Sequence, residues 1–172
     1  SLLPDMSEPS IIVKVLTKGS WLNDDRPSSP TNPSFPNNTA IWGKCRFVFG
    51  NEQNYDWLVV YDDFKGEIKL NCPRKNTLLV TTEPSSVKTY ESVYTRQFGH
   101  VLTGQENWAL KHPNKIHSQP ALYWFYGFRS DKGDNLSYDY IVNHPPSVKK
   151  GVISTVTSAK RHRHTLHRKR YN

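Results

Sequence analysis

With 172 residues the chain has the length of one domain, or of one domain and a piece of a second. Apolar residues make up only 35% and the mean hydropathy is −0.70, yet 5 Trp, 9 Tyr and 7 Phe exclude a disordered polar chain, and no apolar run approaches the roughly 20 residues of a membrane-spanning helix. The net charge of +8 is lopsided: Lys160, Arg161, Arg163, Arg168, Lys169 and Arg170 supply six of these charges, interleaved with His162, His164 and His167, so the body is nearly neutral.

Ile11-Ile12-Val13-Lys14-Val15-Leu16 predicts a first strand, and residues 20–40, with Pro27, Pro30, Pro33 and Pro36, a loop. Lys44–Phe49 alternates as a second strand does, and Asp56–Tyr61 is a near-continuous apolar run, expected of a strand buried on both faces and ending at Asp62-Asp63. Cys45 and Cys72 are too few for a disulfide framework or a zinc site; they read as reduced thiols, with a single bridge between them left open. Thr77–Thr82 is the next strand. It is closed by Glu83-Pro84, because proline cannot supply another ladder donor.

Ser85 or Ser86 then suits a helix N-cap, and Val87, Tyr90, Val93 and Tyr94 carry helical spacing across 86–97, with Gly99 as a C-terminal stop. His100–Thr103 follows as a short strand. Strand–helix–strand at this length predicts a βαβ unit and therefore a parallel sheet. Residues 105–147 are irregular and aromatic, with Trp108, Tyr123, Trp124, Phe125, Tyr126 and Phe128, up to a linker at Pro145-Pro146. Gly151–Ser158 reads as a fresh strand and the segment from about Thr165 as the start of a helix, a unit that cannot bury its own apolar face. The expected organisation is an α/β fold: a Rossmann-like parallel-sheet lobe over 1–147, then a linker and the first strand and helix start of a second, truncated lobe over 148–172.

Glu83 is the residue of greatest interest. It stands where a strand stops, on the edge at which open α/β sheets bind ligands, and suits a general base. On the residues alone it reads first as an exposed acid favoured by the dipole of a following helix. Asp62 and Asp63 end a neighbouring strand at the same edge.

Three blocks carry a resemblance: Tyr55–Asp63 followed by Glu83-Pro84-Ser85; Phe98–Thr103 with His112-Pro113-Asn114 and Gln119–Gly127; and Lys149–Lys160 with Arg168-Lys169-Arg170-Tyr171. In this order and spacing they resemble the α-1,3/1,4-fucosyltransferases (glycosyltransferase family ten), most closely the bacterial, lipopolysaccharide-type members, over roughly residues 55–172. The resemblance implies the N-terminal half of a GT-B architecture, the acceptor-binding lobe of an inverting enzyme that transfers fucose from GDP-fucose to a glycan hydroxyl. It implies that this stretch alone is inactive, since the residues gripping the nucleotide sugar belong to the other lobe. Glu83 then takes the role of base, and Arg168, with Ser158 and Lys160, that of binding the donor diphosphate; a guanidinium fork matches phosphate oxygens. Trp124 and Tyr126 are candidates to stack on the acceptor sugar, though they read also as core, and Arg129, Asp131, Asp62 and Asp63 are candidates to bond its hydroxyls. No metal and no cofactor are expected; GDP-fucose is the donor substrate.

The implied partners are a glycan acceptor and a nucleotide sugar, in a cytoplasmic setting. The basic end is suited to peripheral association with an anionic membrane. A different function class remains open from the charge alone: a non-catalytic basic module binding nucleic acid or another anionic surface by counterion release. Tyr171 is the sole aromatic in that tail, which is a poor pattern for specific nucleic-acid recognition.

Overall fold

Short apolar runs, each ended by a chain reversal, build one open sheet. The computed structural model describes residues 9–17, 34–64, 66–119, 127–129 and 132–145. The strand expected at 151–158, the helix expected from about 165, and with them the whole proposed second lobe at 148–172, lie outside the described residues. Strands β1 (Ile11–Thr17), β2 (Ile41–Trp42), β3 (Cys45–Val48), β4 (Trp57–Tyr61), β5 (Thr77–Val80), β6 (His100–Thr103) and β7 (Lys115–His117) form a seven-stranded sheet in the order β2-β3-β1-β4-β5-β6-β7. All neighbours are parallel except β2, which runs antiparallel to β3. The chain grows outward from β1 first to one side and then to the other. The order therefore reverses between β1 and β4, and a crevice opens at the carboxyl ends of strands beside such a reversal.

Register decides the two faces. Lys14↔Leu58↔Thr77 and Leu16↔Val60↔Leu79↔Val101 lie side by side on one face. The core sits there: Leu16, Leu58, Val60, Leu79 and Val101 pack with Tyr55, Cys72, Tyr90, Phe98 and Leu110. Leu79 and Val101 are fully buried, and each contributes about 1.5–3 kcal/mol of burial. Lys14, also on this face, is buried; its ammonium donates to the Glu52 carbonyl at 2.6 Å and lies 5.5 Å from the Tyr55 ring centre. Burial pushes its pKa down, against the pull of the Glu52 charge. Cys45 and Cys72 are free thiols, and burial pushes the Cys72 thiol up.

Three expectations are corrected. The β4 run is not buried on both faces: Leu58 and Val60 are buried, while Trp57, Val59 and Tyr61 are only half-buried. The reason lies in the crossovers, because helices normally cover both faces of a parallel sheet and here the links 49–56 and 104–114 contain none. Loop side chains such as Tyr55, Phe98 and Leu110 cover the core face instead. Second, the helix expected over 86–97 is a turn at 85–87, a stretch without regular structure that ends with Glu91 extended, and one helical turn, α1 (Ser92–Thr95). Neither Ser85 nor Ser86 caps it; Glu91 holds the N-cap position. Val87 and Val93, on the supposed apolar stripe, are exposed. Third, Gly99 is not a left-handed helix stop. A Cβ there would lie 2.5 Å from the Arg74 carbonyl oxygen and 2.8 Å from the Lys75 Cα, so glycine is required by close backbone approach. Its N–H donates to the Thr77 hydroxyl at 2.8 Å.

Within the irregular 105–147 stretch two further elements stand out. A small hairpin pairs β8 (Phe128–Arg129) with β9 (Asp134–Asn135), apart from the main sheet. Helix α2 (Tyr138–Asn143) is capped by the Ser137 hydroxyl, which accepts from the Tyr140 N–H at 3.2 Å. The Asp139 carboxylate accepts from the Asn37 N–H at 3.1 Å, which docks α2 on the 3₁₀ turn Pro36–Asn38. No helix among the described residues is long and apolar enough to cross a membrane.

Gly99→Ala should cost at least about 2 kcal/mol, because backbone rather than a flexible side chain blocks the methyl. Thermal unfolding followed by circular dichroism should show a midpoint roughly 4–8 °C lower; an unchanged midpoint would contradict the close approach.

Candidate functional site

The rim at the carboxyl ends of β4 and β5 gathers the first group of polar side chains. The Asp62 N–H donates to the Val80 carbonyl at 2.8 Å, extending the β4–β5 ladder by one bond. The chain then leaves the sheet with Asp62 at φ +68°, a left-handed conformation that aspartate tolerates better than most residues. Its carboxylate receives the Lys88 ammonium on both oxygens, at 3.0 and 3.1 Å, and the Tyr90 hydroxyl on one. Lys88 also reaches Asp63 at 3.5 Å and lies 4.7 Å from the Tyr90 ring centre. The Thr82 N–H donates to the Tyr90 oxygen at 3.3 Å.

This cluster explains the missing helix. Lys88 and Tyr90 both reach Asp62, so they must point the same way. Residues two apart share a side in an extended chain but lie about 200° apart around a helix.

The electrostatics follow the contacts. Burial pushes the Asp62 carboxyl up, but hydrogen bonds from Tyr90 and Lys88, together with the Lys88 charge, outweigh it and hold the group below the usual carboxylate range. The Tyr90 hydroxyl is pushed up to about 12, first by burial and then by its bond to Asp62. Tyr94, alongside, is pushed up to about 12 by burial and by the Asp63 charge.

The second group surrounds Glu83. Thr81 and Thr82 are buried, and the Thr81 hydroxyl bonds that of Thr103 on β6 at 2.6 Å. Glu83 follows, half-buried at the rim. Gln105, only 1% exposed, fixes this loop: its side-chain amide donates to the Glu83 carbonyl at 2.9 Å and to the Lys88 carbonyl at 2.8 Å. Lys115 donates in turn to the Gln105 carbonyl at 2.6 Å, and burial lowers its pKa. The Ser85 hydroxyl donates to Glu106 at 2.9 Å; a bond to the Glu106 backbone and this one hold that carboxyl below its ordinary value. The Glu83 carboxylate itself makes no hydrogen bond or ion pair with the described residues. On the next loop, Trp108 is 75% exposed above a turn anchored by the buried Leu110.

The sequence-derived candidates are thus distributed unevenly. Asp62, Asp63 and Glu83 share one rim, on adjacent parallel strands. Asp62 is engaged in an internal clamp, whereas Asp63 lines a shallow groove of about 220 Å³ with Lys88, Glu91 and Tyr94. Glu83 is not among the residues lining that groove. Arg129 lies on β8, in the separate hairpin rather than on the rim. Trp124, Tyr126, Asp131, Ser158, Lys160 and Arg168 lie outside the described residues. Sequence reasoning missed Lys88, Tyr90 and Gln105. The i, i+2 placement of Lys88 and Tyr90 after Pro84 was the available signal; for Gln105 there was none. Compared with protein-family models, curated proteins and solved structures, the chain matches none of them.

The depressed Asp62 pKa sets a pH dependence. A carboxyl whose folded pKa lies below its unfolded value of about 3.9 adds stability that is fully present above that value. That stability is lost as pH falls through the folded pKa. Lys88→Met should flatten the acid limb of the stability curve below about pH 5, with little change in its slope between pH 6 and 8. Urea unfolding at stepped pH measures this, and parallel acid limbs for the two proteins would contradict the clamp.

Proposed function

We propose that the chain supplies the acceptor-binding lobe of an inverting GT-B glycosyltransferase of fucosyltransferase type. The observation that carries this assignment is the placement of Asp62, Asp63 and Glu83 just past the carboxyl ends of the adjacent parallel strands β4 and β5, on one rim of the sheet. The resemblance of residues 55–172 to the fucosyltransferases gives it direction. A Rossmann-like lobe is compatible with the mostly parallel sheet.

The chemistry divides among these groups. Glu83 accepts the proton of an acceptor hydroxyl as that oxygen attacks the anomeric carbon in line and the nucleoside diphosphate departs from the opposite side. A positioned base of this kind is worth about 10²–10⁴-fold. The two bonds from Gln105 hold the Glu83 and Lys88 backbones, which limits the geometry the base can adopt. Asp62 serves as a positioning residue, because its oxygens are already taken by Lys88 and Tyr90. Asp63 and Lys88, facing the groove, suit hydroxyl recognition. Arg168, Ser158 and Lys160 would act on the donor diphosphate, and no metal is assigned to the reaction.

Glu83→Gln keeps the shape and removes the base. In the full-length protein that carries this chain, transfer of fucose from GDP-fucose to a glycan acceptor should fall by about 10²–10⁴-fold while GDP binding is unchanged. Transfer retained within about threefold of the unaltered protein would remove Glu83 from the chemistry.

A further inference from the structure

Beyond Asp63, Phe64 and residues 66–70 lie across the core face of the sheet as a strap. Its sequence, Phe64-Lys65-Gly66-Glu67-Ile68-Lys69-Leu70, alternates apolar or small with charged residues, as a half-buried strand does. Yet it pairs with no strand of the sheet. It is pinned beyond its far end, where the Asn71 N–H donates to the Tyr55 hydroxyl at 3.0 Å and the Asn71 amide to the Gln53 carbonyl at 2.9 Å. Gly66 has φ +133°, a conformation close to glycine's alone.

Beneath the strap lies a cavity of about 400 Å³. Leu58, Val60 and Thr77 are its floor, Phe64, Ile68 and Leu70 its roof, and Tyr94 and Phe98 its aromatic wall. Native interiors leave few voids larger than a water molecule, so a space of this size beside a packed core, lined mostly by apolar side chains and by a Tyr94 hydroxyl that is buried without a hydrogen-bond partner among the described residues, is one a ligand can fill. Ile68 and Leu70 are each 40% exposed, which leaves apolar side chains at the mouth.

The lining selects the ligand. The Thr77 hydroxyl is already spent, donating to the Arg74 carbonyl at 2.7 Å and accepting from Gly99, and the Gln97 amide donates to the Val93 carbonyl at 3.3 Å. Glu67 is the one charged residue among the described lining, and its negative charge disfavours an anion beside it. Tyr94 and Phe98 meet edge to face, with ring centres 5.4 Å apart at 74°, which offers a further ring both an edge and a face. An apolar cavity of about 150 Å³ holds one benzene, so this one has room for two or three rings.

We propose that the cavity under Phe64 and residues 66–70 binds a small, uncharged aromatic molecule of two to three rings, at a site that shares Tyr94 with the Asp63 groove but takes in none of the rim carboxylates. The test uses the whole chain, methyl-labelled and followed by NMR, titrated with 2-naphthol and with the anionic 2-naphthoate. Saturable shifts of the Leu58, Val60, Ile68 and Leu70 methyls are expected with 2-naphthol, and at least about tenfold weaker binding of 2-naphthoate. Ile68→Trp, which fills the cavity from its exposed roof, should abolish the 2-naphthol shifts; Leu70→Phe is read in the same way should the first variant unfold. The proposal fails if 2-naphthol gives no saturable shift, if 2-naphthoate binds equally well, or if binding survives in a folded cavity-filling variant.

Discussion

The Asp62 carboxylate, gripped by Lys88 and Tyr90, is the contact on which the candidate site depends. It joins the end of β4 to the segment that follows β5. Two bonds from Gln105 fasten the same segment to the loop after β6. Three neighbouring parallel strands are thereby tied at one rim by side chains as well as by ladder bonds. Glu83 stands inside this frame with a fixed backbone and a carboxylate that bonds none of the described residues. A rigid support around a carboxylate with no partner among the described residues is what a reactive site requires, and it is the physical ground of the proposal that Glu83 acts as the base.

The sheet achieves this with little helix. Parallel strands usually draw their cover from crossover helices. Here Tyr55, Cys72, Phe98 and Leu110 reach in from loops and 3₁₀ turns to close the core face. Loop cover is less complete than helical cover. The space under Phe64 and residues 66–70 and the half-buried state of Trp57, Val59 and Tyr61 on the opposite face share that origin.

Much of the sheet was legible because its signals are local. The runs at 11–16, 44–49, 56–61, 77–82 and 100–103 are apolar, short and punctuated, and each became a strand within a few residues of its expected bounds. Pro84 placed Glu83 at a strand end for a reason internal to its own segment. The failures are non-local. Tyr90 and Tyr94 fit a helical stripe, but Asp62, more than 25 residues earlier, decides the conformation of 88–90. β7 has Ile116 as its single apolar residue, and α2 rests on a serine cap and a docking contact with the 36–38 turn, so neither carried a periodic signal. Gln105 resembles any loop glutamine until two carbonyls from another loop are brought to it. For Asp62, position in the chain gave no sign of its partners, Lys88 and Tyr90, which make it part of the frame.

The central claim is that the Asp62 contact keeps Lys88 to Tyr90 out of a helix, and the backbone conformation of residues 88–91 tests it most directly. Backbone ¹³C chemical shifts of the intact chain should be those of extended residues at Lys88, Thr89 and Tyr90, and should move toward helical values when Asp62 is replaced by Asn. Helical shifts running without a break from Ser86 to Gln97 in the unaltered protein would contradict the account.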